Sequence, residues 1–354
     1  MSEQNTSGAV VPSSAEVPPP SGPPSARNEK TGLQKVMSGS VGRNLGLVLA
    51  LLALVIVGAI TAGENFTTFS NALVILRQAS IIGVISIGMT LVIIAGGIDL
   101  SVGSVMGLAS IVATLAAIQD LADQTHWIFM IVIALLVGLG AGLINGVVIA
   151  YGNVVAFMAT LAMLVAARGL AEILAERRTL IVEDRGFISF MNSDVIGVDI
   201  LIWIFAIVAA LGWVLLNRTT FGRRTVAIGG NREAARLAGI NVKRHTMWLY
   251  AIAGLSAGIA GVMILGRTTA GSSTHGTLYE LDAIAAVVVG GTLLVGGRGT
   301  ITGTVFGVLI FATLTNVFVQ NNLSSSVQAV AKGVIIVIAV LLQQRFAKPV
   351  GRES

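Results

Sequence analysis

One acidic residue lies inside a long apolar stretch of this chain. Asp99 follows Gly96 and Gly97 and precedes Ser101, within the segment AGGIDLSVGS at 95–104. Paired glycines break a helix, and an ionised group at membrane depth is unfavourable and marks a functional site. Irregular backbone is tolerated there only where protein or a watery cavity satisfies it. We predict that these four residues belong to a pathway or its gate. The alternative is a short turn in which Asp99 and Ser101 cap the next helix.

A second Gly-Gly pair interrupts another apolar run. Gly290 and Gly291 precede Thr292, and the segment GGRG follows at 296–299. Transporters often consist of duplicated halves whose broken helices meet near the middle of the membrane. We therefore hypothesise that the two breaks correspond, and we place all three residues among the candidate gating residues. Other glycines recur four apart, at 138/142/146, 254/258 and 299/303/307, and predict close helix packing without chemistry.

A basic segment at 217–245 contains seven Lys or Arg residues and one acid, Glu233. Within it, residues 233–238 should form a short helix that Asn231 caps and Gly239 ends. The basic charge suits a solvated face or contact with anionic lipid. The small side chains of this helix would also let another protein approach closely, which suggests a docking element.

These segments lie among ten apolar runs long enough to cross about 30 Å of hydrocarbon. The runs are 45–61, 72–95, 100–119, 127–151, 153–175, 200–216, 246–266, 281–297, 299–319 and 325–343. Of the 354 residues, 55% are hydrophobic and only 11% are charged, against about 25% charged in an average soluble domain. We predict an all-α polytopic membrane protein. This composition excludes a soluble enzyme, a disordered protein and a nucleic-acid binder, and a net charge of only +5 does not restore the nucleic-acid binder.

Proline and basic residues indicate the ends and the orientation. Six of the seven prolines fall between residues 12 and 24, so we predict a disordered tail over 1–44, a membrane domain over 45–345 and a short tail over 346–354. With ten spans, both termini and the 217–245 segment share one side. The excess of Lys and Arg on that side predicts that it is cytoplasmic.

The sequence lacks the motifs for thiol chemistry, nucleotide binding and metal-dependent proteolysis. The chain has no Cys, no G-x-x-x-x-G-K-[ST] phosphate loop and no H-E-x-x-H motif. We therefore predict no catalytic residue and no metal site. Arg77, Glu280 and Asp282 lie at predicted span ends and are expected to snorkel towards water, whereas Lys332 is nearer a span interior.

Four dense motifs occur in order along residues 45–345: GMTLVIIAGGIDLSVGSVMGL, GLINGVVIAYGNVVAFMATLAMLVAARGLA, AIGGNREAARLAGINV and YELDAIAAVVVGGTLLVGGRGTITGT. Together they resemble the permease subunits of the ribose/xylose/arabinose class of ATP-binding-cassette sugar importers. The resemblance implies a homodimeric pore in the bacterial inner membrane and a separate ATPase subunit that binds ATP and Mg. It also implies an extracytoplasmic sugar-binding protein. The coupling element for the ATPase would comprise Gly230, Asn231, Glu233, Ala234, Ala235, Gly239 and Ile240.

The resemblance also suggests what lines the pathway. Neutral hydrogen-bonding groups and one aromatic ring suit a neutral sugar, and the candidates are Asn145, Asn153, Thr160, Thr292, Asn316 and Phe157. Alternating access is the expected mechanism. A secondary transporter driven by an ion gradient and a membrane scaffold or channel remain the alternatives. The sequence does not identify the sugar.

Overall fold

The computed structural model describes residues 40–347, and most of them are helical. Most of each predicted tail lies outside these residues, but 40–44 and 346–347 are described and belong to helices, so the predicted tail boundaries are a few residues off. A 3-10 helix lies at Gly63–Asn65. Two small antiparallel pairs of strands are also described: β1 (Leu180–Ile181) pairs with β4 (Ala270–Gly271), and β2 (Asp194–Val195) pairs with β3 (Val198–Asp199). The predicted all-α membrane class is confirmed.

The helices follow the predicted apolar runs closely. Those described are α1 (Ser40–Ala62), α2 (Phe69–Ile94), α3 (Val102–Ala113), α4 (Ala116–Gln124), α5 (Ile128–Ala150), α6 (Ala156–Leu174), α7 (Arg185–Met191), α8 (Ile200–Arg218), α9 (Thr220–Gly230), α10 (Arg232–Leu237), α11 (Val242–Thr268), α12 (Tyr279–Val289), α13 (Ile301–Gln320) and α14 (Ser325–Ala347).

Three of the ten predicted runs are not among the helices that qualify as straight spans: 100–119, 281–297, and 325–343, which forms α14. Within residues 40–347, seven helices are long and apolar enough to cross a membrane: α1, α2, α5, α6, α8, α11 and α13. The run 100–119 instead forms α3 and α4, which bend by 56° at a short break, as a broken span or a re-entrant loop does. The run 281–297 yields only α12, because the Gly-Gly pair ends the helix at Val289. Its 11 residues rise about 17 Å, roughly half the hydrocarbon thickness.

The two half-length helices α3 and α12 begin beside each other. Gly103, in the first turn of α3, packs so closely on Gly276 before α12 that a Cβ on either residue would overlap the other's backbone. Each half-helix follows one long helix and precedes others: α2, α3, α5 and α6 in the first half match α11, α12, α13 and α14 in the second. This order supports the duplication hypothesis, with α4 and α7 as additions to the first half.

The helix α11 lies at the centre of the bundle and packs against α5, α2 and α3. Its contact with α5 uses the predicted glycine spacing: Gly138 and Gly142 of α5 meet Gly254 of α11 backbone to backbone. The prediction of close packing at these glycines is confirmed. This contact brings α5 and α11 together beside the first break, where the candidate site lies.

Candidate functional site

The first break borders a cavity of about 440 Å³ at the α10 end of the bundle, within the size range of small-molecule sites. We call it the vestibule. Gly96 and Gly97 form one wall, and polar groups on other walls come from Asn153, Thr246 and Tyr250. The first residue of α10, Arg232, also lines it. The vestibule therefore offers hydrogen-bonding groups and lies directly beside the predicted coupling element.

Asp99 does not face the vestibule. It is only 1% exposed, and its carboxylate accepts hydrogen bonds from the backbone N–H of Ser101 at 2.9 Å and from the Ser101 hydroxyl at 2.6 Å. The Ser101 hydroxyl in turn accepts a bond of 2.9 Å from the Asn145 amide of α5. Three predicted site residues thus form one network, which anchors the lead-in to α3 against α5.

The backbone of the first break has partners from two other helices. The Ile98 carbonyl accepts long hydrogen bonds from the Tyr250 hydroxyl of α11 at 3.4 Å and from Thr160 of α6 at 3.5 Å. Irregular backbone inside a membrane protein requires such partners. Asp99 and Ser101 therefore stabilise the bend between α2 and α3. This arrangement is closer to the helix-cap alternative than to a pathway. Ser101 occupies the N-cap position of α3, but its side chain makes no capping hydrogen bond.

Glycines from three segments meet at one point, which we call the glycine junction (Gly96, Gly229, Gly230, Gly296 and Gly297). The Gly297 N–H donates to the Ile94 carbonyl at the end of α2 at 2.8 Å. A Cβ on Gly229 would overlap that same carbonyl, and a Cβ on Gly296 would come within 3.0 Å of the Gly229 oxygen and of Gly96. The end of α9 thus directly contacts both Gly-Gly helix breaks, the first after α2 and the second after α12.

The predicted short helix is present as α10, and its coupling role stays a prediction. The Asn231 side chain accepts the Ala234 N–H at 2.9 Å, as an N-cap does, and Gly239 follows the helix with φ of +80°, a left-handed conformation suited to glycine. Ala235 is buried against Ile228 and Val242. Glu233, Ala234 and Leu237 are exposed. The surface open to a partner therefore excludes Ala235, while the partly buried Ile240 packs with it.

The other predicted pathway residues do not gather at one site. Asn316 exchanges amide hydrogen bonds with Asn71 of α2, at 2.9 and 3.1 Å. Thr292 is buried within the second break, where Gly290 packs against Gly303. Phe157 on α6 is 48% exposed. Gly291 has φ of +87° and no close neighbour.

The sequence did not indicate the vestibule positions of Tyr250 and Arg232, and the expectation for Asp282 was wrong. Tyr250 and Arg232 line the vestibule, although neither stands in a break; only their position next to a break in space reveals them. Asp282 was expected to snorkel, but it pairs with Lys332 at 3.0 Å, and both side chains are largely shielded. The lone Lys332 in a span was the one signal that could have suggested a partner.

Residues 71–341 match the family described as branched-chain amino acid transport system / permease component. Among curated relatives, the ribose import permease protein RbsC of Haemophilus influenzae is 39% identical over 322 residues, covering 89% of this chain and 96% of that protein. The L-arabinose transport system permease protein AraH of Escherichia coli is 36% identical, covering 86% of this chain and 92% of its own.

A third relative is the galactose/methyl galactoside import permease protein MglC of Escherichia coli. It is 35% identical over 335 residues, covering 90% of this chain and 97% of that protein. No solved structure matches the chain. The family match and the near full-length relatives agree with the broken-helix bundle, and the chain belongs to the family of branched-chain amino acid transport system permease components.

Proposed function

We propose that this chain is the multi-pass permease subunit of an ATP-driven, binding-protein-dependent importer, and that it moves a monosaccharide into the cytoplasm by alternating access. Three relatives that cover nearly the whole chain are named as permeases for ribose, L-arabinose and galactose. The vestibule fits such a substrate, since Asn153, Thr246 and Tyr250 offer hydrogen-bond donors and acceptors to a neutral polyol.

The observation that carries the mechanism is the glycine junction. In the proposed cycle, a separate ATPase subunit binds ATP and Mg in the cytoplasm and docks on the exposed face of α10. Its closure moves α10 and the adjoining end of α9. Because Gly229 contacts the end of α2 and the second helix break, that movement would displace the backbone at both helix breaks. No phosphate loop is needed in this chain.

The remaining partners follow from the same proposal. An extracytoplasmic binding protein delivers the sugar at the opposite end of the bundle, and a second copy of the permease completes the pore. The basic 217–245 segment, with both termini, lies in the cytoplasm according to the charge rule. The roles of Asn145, Thr160, Thr292, Asn316 and Phe157 in the pathway stay predictions, since the first four are buried in contacts within the protein.

The docking face of α10 can be tested by reversing one charge. Glu233 is exposed, and its contact with Arg236 at 3.9 Å lies in solvent, where such pairs contribute little to stability. We expect Glu233→Arg to leave the permease folded but to lower ATP-driven uptake by the assembled importer roughly tenfold, equivalent to about 1.4 kcal/mol of lost coupling. Uptake and ATP hydrolysis are measured together in the same vesicles.

Arg223→Gln is the matched control, because Arg223 is exposed on the neighbouring α9 but outside α10. It should transport as the unsubstituted chain does. Unchanged uptake per ATP hydrolysed in Glu233→Arg would show that α10 is not the docking element.

A further inference from the structure

A second cavity, of about 120 Å³, lies between α2, α12, α13 and α14. We call it the cleft. The side chains that matter for its chemistry are Gln78, Tyr279, Asp282, Phe311, Thr315 and Lys332. None of the six is among the residues that the sequence analysis placed in a pathway.

An ion pair joins two walls of the cleft. The Lys332 ammonium of α14 donates to both carboxylate oxygens of Asp282 of α12, at 3.0 and 3.3 Å. The two side chains are about one fifth exposed. A shielded ion pair is weak evidence for stabilisation, because desolvation offsets the attraction. Charged residues that face the interior of a membrane protein mark substrate or ion pathways instead.

The other groups of the cleft complement a sugar. Across the part of the chain that the structure describes, neither the Gln78 amide nor the Tyr279 hydroxyl makes a side-chain hydrogen bond, although both are partly buried. The Thr315 hydroxyl donates to the Phe311 carbonyl at 2.9 Å and keeps its acceptor capacity. A monosaccharide presents hydroxyls to such groups and a C–H face to an aromatic ring. Few polar groups among apolar and aromatic walls are typical of small-molecule sites.

The two half-helices differ in a way that favours the cleft. The helix α3 is buried along almost its entire length, and its surroundings are filled by α5, α6 and α11. The helix α12 leaves Tyr279, Asp282 and Ile284 only partly covered and Leu281 exposed. The first half-helix is therefore fully packed, whereas the corresponding helix of the second half is partly uncovered within the described residues.

The helix α12 lies between two bends. Gly276 and Leu278 before it have φ of +73° and +66°, and Gly291 after it has φ of +87°. Arg168 of α6 fixes the preceding loop through hydrogen bonds to the Ser273 and His275 carbonyls. The segment that follows α12 reaches the glycine junction at Gly297. A movement of the junction would thus act on α12 from one end while the other end is held.

We propose that the cleft is a monosaccharide subsite of the import pathway. The inference rests on the proposed function. At 120 Å³ the cleft holds only a few water molecules of about 30 Å³ each, so α12 must part from α14 to admit a sugar. The Asp282 and Lys332 side chains then exchange their mutual hydrogen bonds for sugar hydroxyls, and Tyr279 or Phe311 covers the C–H face.

The absence of native Cys makes thiol protection a direct test. Thr315→Cys is introduced into the full chain, assembled with its ATPase and binding protein, and treated with a small charged methanethiosulfonate during ATP turnover. We expect modification, and we expect at least one of D-ribose, L-arabinose and D-galactose to slow it severalfold. Gln78→Cys on the opposite wall is the second reporter if Thr315→Cys fails to assemble.

Ser325→Cys is the matched control, because Ser325 is exposed at the start of α14 and outside the cleft. Its modification should be fast and indifferent to sugar. Equal modification rates of both cleft reporters with and without every sugar, in an importer that transports normally, would overturn the subsite alone. Protection of a reporter in a chain that never transports with ATP would keep the subsite and overturn the proposed function.

Discussion

At the residue scale, Asp99 illustrates what local sequence can and cannot predict. A carboxylate after two glycines in an apolar run correctly indicated a break that positions polar groups. It could not distinguish a pathway from a support, because that depends on Asn145, which lies 44 residues from Ser101 in sequence. The same limit applies to Asn316, whose partner Asn71 is 245 residues away. A polar residue in a span indicates a partner but does not name it.

The Ser101–Asn145 hydrogen bond makes a quantitative prediction. Ser101→Ala removes the acceptor of a buried amide, and Asn145→Ala removes the donor, so each should lower the free energy of unfolding by about 1–3 kcal/mol. Once one partner is gone, loss of the other has less effect. The loss of unfolding free energy in the double variant should therefore be smaller than the sum of the two single losses by about 0.5–3 kcal/mol. Thermal unfolding of the purified permease measures all three losses.

Asn217→Ala provides the control for that cycle. The Asn217 amide is exposed and bonds only its own helix, at the Trp213 carbonyl. Its effect should be small and should add to that of Ser101→Ala. Full additivity between Ser101→Ala and Asn145→Ala would contradict the network.

At the element scale, hydropathy located every described membrane helix but misjudged the length of two. The run 281–297 is apolar apart from Asp282 and Thr292, yet Gly290 and Gly291 end α12 after 11 residues, because a helix depends on backbone conformation as well as on polarity. The run 100–119 is interrupted after Ala113 without a glycine pair, and it continues as α4 from Ala116. The capped helix α10 was predictable because Asn231 and Gly239 act locally. The glycine junction was not predictable from the sequence, because it brings together three segments: Gly96 and Gly229 are about 130 residues apart, and Gly229 and Gly296 about 70.

The junction predicts a contrast between two adjacent glycines of α9. A Cβ on Gly229 would overlap the Ile94 carbonyl, whereas a Cβ on Gly230 would have no atom within 4 Å. Gly229→Ala should therefore displace α9 from the breaks, with an overpacking effect of about 1–3 kcal/mol, and should reduce uptake about tenfold or more. Gly230→Ala should stay close to normal. Uptake in vesicles and thermal unfolding are both measured.

If the two variants transport equally well, α9 does not act on the breaks through this contact. Loss of uptake in Gly230→Ala alone would contradict the geometry of the junction in the same way. Equal loss of both, with normal thermal unfolding, would point to a role for the α9 terminus that does not depend on packing.

At the scale of the whole molecule, the chain combines a bundle of membrane-spanning helices with an exposed α10, and its sequence has no phosphate loop. Composition alone identified the membrane class, and four motifs identified the family that the comparisons then showed. The side chains around the cavities lie beyond both, because distant helices bring them together. The vestibule and the cleft are two such sets of side chains.

Reconstitution into sealed lipid vesicles tests the central claim most directly. Labelled D-ribose, L-arabinose and D-galactose are offered to the chain alone, and then to the chain with its ATPase subunit, binding protein and ATP. We predict no accumulation by the chain alone under any ion gradient, and ATP-dependent accumulation of at least one sugar by the complete assembly. Concentrative uptake by the chain alone, driven by a proton gradient and abolished by an uncoupler, would contradict the account.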